Sequence, residues 1–128
     1  MAETEKITIN MSIVDLGKVD LLVQEGFYQN RTDFIRTAIR SQLDKHEPAV
    51  QSSVVRNSYG MGIFEYARED LERWVANGER KSFNIIGMLV INDDVTPELA
   101  NQAIASMRVR GTLRVSEAVK EALKDRII

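Results

Sequence analysis

The sequence predicts a mixed α/β chain, α+β overall, in two folded parts. A strand-helix-helix unit occupies residues 1–46, a linker residues 47–62, and a small α-β-α-β-α domain residues 63–128. Three observations carry this reading. Residues 6–12 alternate strictly between polar and apolar side chains, two serine or asparagine caps are each followed three residues later by an aspartate, and a βα pattern repeats at an offset of 24 residues near the C-terminus.

In Lys6-Ile7-Thr8-Ile9-Asn10-Met11-Ser12 the apolar side chains Ile7, Ile9 and Met11 share one face and Lys6, Thr8 and Asn10 the other, the period-two signature of a half-buried strand. Ser12 and Asp15 then open a first helix over residues 13–25, with Leu16, Val19, Leu22 and Val23 at helical spacing and Gly26 closing it. Gly17 inside that helix costs about 1 kcal/mol against alanine. Asn30 and Asp33 repeat the start signal, and Phe34, Ile35, Ala38, Ile39 and Leu43 supply the apolar stripe of a second helix reaching residue 45.

Periodicity stops between His46 and Gly62, where Pro48, Ser52, Ser53, Asn57, Ser58 and Gly60 fall, and this stretch reads as the linker. Phe64, Ala67, Leu71, Trp74 and Val75 lie on one helical face, with Asn77-Gly78 as its end. Beyond it, Phe83, Ile85, Gly87, Leu89, Ile91, Val95 and Leu99 return as Met107, Val109, Gly111, Leu113, Val115, Val119 and Leu123, and Ala103-Ile104 as Ile127-Ile128. Each copy reads as a strand followed by a helix, opened by Thr96-Pro97 in one and Ser116-Glu117 in the other, which predicts a parallel βαβ crossover. Ile86, Met88 and Val90 make the second face of the first strand apolar, so it is expected to be covered on both sides. Arg108, Arg110, Thr112 and Arg114 make the same face of the second strand one that suits water or an anion.

Composition excludes several function classes. With no cysteine and one histidine, His46, the 128-residue chain cannot assemble a thiolate or paired-histidine metal site within itself, and no metal or other cofactor is expected. No nucleophile-base pair emerges, so an enzyme is not expected. The net charge of −2 gives no polybasic field. The acidic start Met1-Ala2-Glu3-Thr4-Glu5 is unlike a secretory signal, and no apolar run approaches the roughly 18 residues of a membrane span, so a cytoplasmic chain with no membrane partner is expected.

One strand and two helices cannot close a core alone, because a lone strand has no pairing partner and so short a chain buries too little. Two copies pairing residues 6–12 antiparallel would bury Ile7, Ile9 and Met11 against four helices and project Lys6, Thr8 and Asn10 from a two-stranded ribbon, a shape that the major groove of B-DNA admits. At this point residues 6–45 resemble the ribbon-helix-helix DNA-binding family, of the Arc, MetJ and CopG type, through the alternating strand, Gly26 at the inter-helix turn and Asn30-Arg31-Thr32-Asp33-Phe34-Ile35-Arg36.

The resemblance implies a homodimeric, sequence-specific transcriptional regulator, in the first instance a repressor, whose partner is double-stranded DNA. It implies base contacts from Lys6, Thr8 and Asn10 and phosphate contacts from Asn30, Arg31 and Thr32 at the start of the second helix. Side-chain chemistry agrees: lysine donates to guanine, asparagine pairs with adenine, and a helix N-terminus seats a phosphate. The same residues have plainer roles as an exposed polar strand face and as helix caps. Asp33 and Thr37 stand where such sequences more often carry glutamate. Higher oligomers through residues 63–128, a protein partner, an antitoxin role with autoregulatory DNA binding, and an assembly protein that has lost DNA binding are the alternatives. A nickel-sensing branch of the family uses several histidines and a cysteine, which this chain lacks.

Overall fold

A computed structural model describes residues 4–128, which divide into two compact units, residues 4–52 and residues 53–128. Among the described residues there are six helices and one three-stranded sheet.

In the first unit, residues 4–12 form no helix and no strand within the single chain. Helix α1 (Ile13–Gln24) starts where Ser12 Oγ accepts from the Asp15 N–H. It ends at Gly26, φ +88°, where the Gly26 and Phe27 amides donate to Val23 and Leu22 carbonyls, a glycine-terminated cap that satisfies the last turn. Helix α2 (Arg31–Lys45) begins with Asn30 Oδ1 accepting from Asp33 N–H at 2.8 Å, and Tyr28 and Phe34 meet edge to face across the turn between the helices.

The segment expected to be a linker is largely helical: α3 (Glu47–Asn57) is followed by the first strand from Gly60. Pro48 falls in the first turn of α3, where a missing N–H breaks no helical bond, and Gln51 donates to Glu47 one turn back. None of its residues is buried, which is why no apolar stripe announces it.

The second unit is a βα array of three turns: β1 (Gly60–Tyr66), α4 (Arg68–Ala76), β2 (Lys81–Ile91), α5 (Pro97–Ala103), β3 (Ile104–Arg114) and α6 (Glu117–Ala122). The predicted α-β-α-β-α order is therefore corrected at its start. Phe64 lies in a strand, and the helix begins only after Ala67, whose N–H donates to Asp70 Oδ2. Strand order is β1-β2-β3, all parallel. The 24-residue repeat is the register itself, since Phe83 pairs with Met107, Ile85 with Val109, Gly87 with Gly111 and Leu89 with Leu113. Ile127 continues the pattern with a parallel bridge to Met107.

Phe64, Tyr66, Phe83, Ile85, Leu89, Ile91 and their counterparts on β3 meet Leu71, Trp74, Val95, Ala100, Val119 and Leu123, so α4, α5 and α6 cover one face of the sheet. Tyr66, Trp74 and Phe83 form an aromatic cluster with ring centroids 5.1–6.0 Å apart, each aromatic acting as core. Arg126 reaches from beyond α6 to the Asn101 and Ile104 carbonyls and ties down the end of α5. The second face holds Met88, which is buried, half-buried Ile86 and Val90, and exposed Arg110 and Arg114. Arg108 is half-buried there, its Nε shielded from water with no hydrogen-bond partner.

Leu89 sits at the centre of this core with no exposure. Leu89→Ala is expected to destabilise residues 53–128 by about 2–5 kcal/mol, the range for emptying a packed leucine site, whereas exposed Arg110→Ala changes stability by less than about 0.5 kcal/mol. Urea unfolding followed by Trp74 fluorescence checks both.

Candidate nucleic-acid interface

The first unit buries remarkably little for a folded body; of its described residues only Val19 is buried. Ile7, Ile9 and Met11 are 73%, 62% and 36% exposed, and Ile39 and Leu43 on α2 are exposed as well. The extended segment and α2 flank a groove of about 550 Å³ lined by Ile7, Ile9, Ile35 and Ile39 together with Glu5, Lys6, Thr32 and Arg36. Apolar side chains so arranged in water are an incomplete core. Lys6, Thr8 and Asn10 alternate with them along the same extended segment and are exposed.

At the start of α2 the three residues expected at phosphate differ in their situation. Asn30 is committed as the cap, accepting from Asp33, whose carboxylate in turn accepts from Gln29 N–H. Arg31 turns away from the helix start: its Nε and Nη2 each donate at 2.8 Å to Asp20 on α1. That two-pronged pair holds the Asp20 carboxyl below the usual aspartate range and raises the already high Arg31 pKa, hydrogen bonding being the main cause of both shifts. Arg31 thus spans the two helices, and its charge is neutralised locally. Thr32 is exposed, and the Arg31 and Thr32 amides have no helical partner, the ordinary state of a first turn. The structure brings together a cap, a hydroxyl and two open amides; the cation predicted beside them is held by an acid 11 residues earlier, a pairing that no sequence spacing announces.

Sequence comparison decides the family, because the model of the Ribbon-Helix-Helix transcriptional regulator family matches residues 2–120. The chain belongs to the ribbon-helix-helix transcriptional regulator family. The match runs well past the strand-helix-helix segment and takes in most of the βα array, so the second unit of this ribbon-helix-helix regulator falls within the family pattern. No curated protein and no solved structure matches it. The family is one of transcriptional regulators. Among the described residues of the regulator, no cluster of three metal-ligating side chains occurs, and no helix is long and apolar enough to cross a membrane.

Proposed function

We propose that this regulator works as a homodimer in which residues 6–12 of two chains pair antiparallel and enter the major groove of DNA, repressing transcription from a specific operator. The observation that carries this reading is the incomplete core of residues 4–52. Ile7, Ile9 and Met11 alternate along an extended segment that pairs with no strand among the described residues, and a second copy of the same segment supplies both hydrogen bonds and apolar cover. Pairing leaves Lys6, Thr8 and Asn10 on the outer side of the ribbon, where their donors and acceptors meet base edges. Thr32 and the open amides of α2 receive a backbone phosphate, aided by the positive end of the helix.

Reading and holding separate experimentally. Asn10→Ala is expected to cost about 1–3 kcal/mol on the preferred duplex and to relax preference at one base position, whereas Thr32→Ala weakens all duplexes alike. Selection of bound sequences from a random duplex pool, followed by gel-shift titration, measures both; equal losses on specific and random DNA for Asn10→Ala would show that the ribbon does not read bases.

The Arg31–Asp20 pair sets a second expectation. Asp20→Asn removes an acid from the vicinity of the proposed phosphate seat and frees Arg31, so DNA affinity rises at low salt. Each phosphate newly neutralised steepens the slope of log affinity against log salt by about 0.9. An unchanged slope in fluorescence-anisotropy titrations would place Arg31 outside the interface.

A further inference from the structure

The sheet of the second unit carries α4–α6 on one face only, and its other face is chemically lopsided. On β1 that face presents Met61 and Ile63, 52% and 50% exposed, followed by the acid Glu65. The central strand presents half-buried Ile86 and Val90 on either side of Met88, which its own chain already buries to 7% exposure, and β3 presents the arginine row with Thr112. We infer that this face packs against the same face of a second copy of the chain, about a two-fold axis parallel to the strands.

Charge selects that axis. Two sheets stacked about a two-fold perpendicular to their strands would set β3 over β3 and arginine over arginine, which is repulsive. A two-fold parallel to the strands exchanges the edges and sets β1 of one copy over β3 of the other, with β2 over β2. Register levels are kept by this operation. Glu65, Val90 and Arg114 share one level, so Glu65 faces Arg114 of the second copy twice in the assembly; Ile63, Met88 and Thr112 share another, so Ile63 faces Thr112 of the second copy and Met88 faces itself. Aligned sheets pack in this way at about 10 Å separation. Arg114 already has an interaction within its own chain, and the five donors of a guanidinium suffice for a carboxylate in addition.

Area decides when this contact forms. Three strands about 4.8 Å apart, over seven residues rising about 3.3 Å each, present roughly 330 Å² per copy, well short of the roughly 800 Å² of an independent stable interface. The face therefore closes between chains already brought together, where the effective concentration is high. In this it rests on the paired chains proposed above.

The chain has no cysteine, so introduced ones report proximity without background. Full-length Ile63→Cys and Thr112→Cys chains are co-expressed, treated with a short bis-maleimide and compared with each chain alone, while sedimentation of the same samples reports whether chains are paired at all. The mixture is expected to cross-link about tenfold faster than either chain alone. Glu65→Arg in both chains should abolish this excess, and adding Arg114→Glu should restore it. Self-linking of Ile63→Cys at the same rate would mean that β1 edges meet instead, and overturns the stacked faces. Dimers that sediment normally but do not cross-link overturn the face alone; monomers overturn the face and the ribbon together. Loss of DNA affinity on Arg114→Glu without cross-linking of any pair assigns the arginine row to DNA.

Discussion

Gly87→Ala should unfold residues 53–128, with a loss of more than about 4 kcal/mol, beyond the range of ordinary single substitutions. Gly62, Gly87 and Gly111 stand side by side across the three strands, with φ of +140°, +134° and +129°, a region that side chains other than glycine rarely adopt. A Cβ on Gly87 would lie 2.0 Å from the Gly62 carbonyl oxygen, and a Cβ on Gly111 would lie 2.0 Å from that of Gly87. The obstacle is the backbone of a paired strand, which yields only if the ladder separates. Gly62→Ala is milder, since its Cβ would meet only Phe64 Cε2 at 3.9 Å and the cost is confined to the backbone angle. Gly17→Ala has nothing within 4 Å and should stabilise α1 by about 0.5–1 kcal/mol. Thermal unfolding of the three variants checks the order, and a Gly87→Ala protein that melts like the parent would refute the close approach.

For Ile9→Asp the expected result is loss of the proposed dimer and unfolding of residues 4–52 together, the second unit remaining folded. In a single chain Ile9 is 62% exposed, and an aspartate there would sit in water at little cost. Only where a second chain covers the position does the substitution bury an unpaired charge, which costs several kcal/mol. Sedimentation and far-ultraviolet circular dichroism read the two effects separately. A variant that keeps both its dimer and its helix content would place the interface elsewhere, whereas Asn10→Ala, on the outward side of the ribbon, should leave both unchanged.

What could be read from the amino-acid order depended on how far apart the interacting residues lie. Ser12 with Asp15 and Asn30 with Asp33 announce their helices because a cap and its amide are three residues apart. The pairing of β2 with β3 is visible because equivalent residues recur at one offset. Strand β1 escaped because Gly60 and Gly62 look like a turn, and because Phe64 falls seven residues before Leu71, a spacing that suits a helical face equally well. Its alignment with Gly87 rests on a spacing of 25 residues, one more than the next turn of the array, so a fixed-offset search passes over it. Helix α3 has no buried residue, and the Arg31–Asp20 pair joins two helices, so neither leaves a pattern in the chain. The alternation along residues 6–12 was legible, but in the single chain those residues form no strand, and the cover for their apolar side is the second copy proposed above.

In the βα array each strand hydrogen-bonds only to strands one turn away, 24 or 25 residues along the chain. Contacts of this kind are short in sequence, and arrays built from them propagate order from neighbour to neighbour, so that assembly can start at any turn and spread. Position within the array then sets the reach of an injury. Damage in β1 or β3 frays one end and leaves a bonded pair of strands behind. Damage in β2 severs the array, because its two outer strands share no ladder with each other.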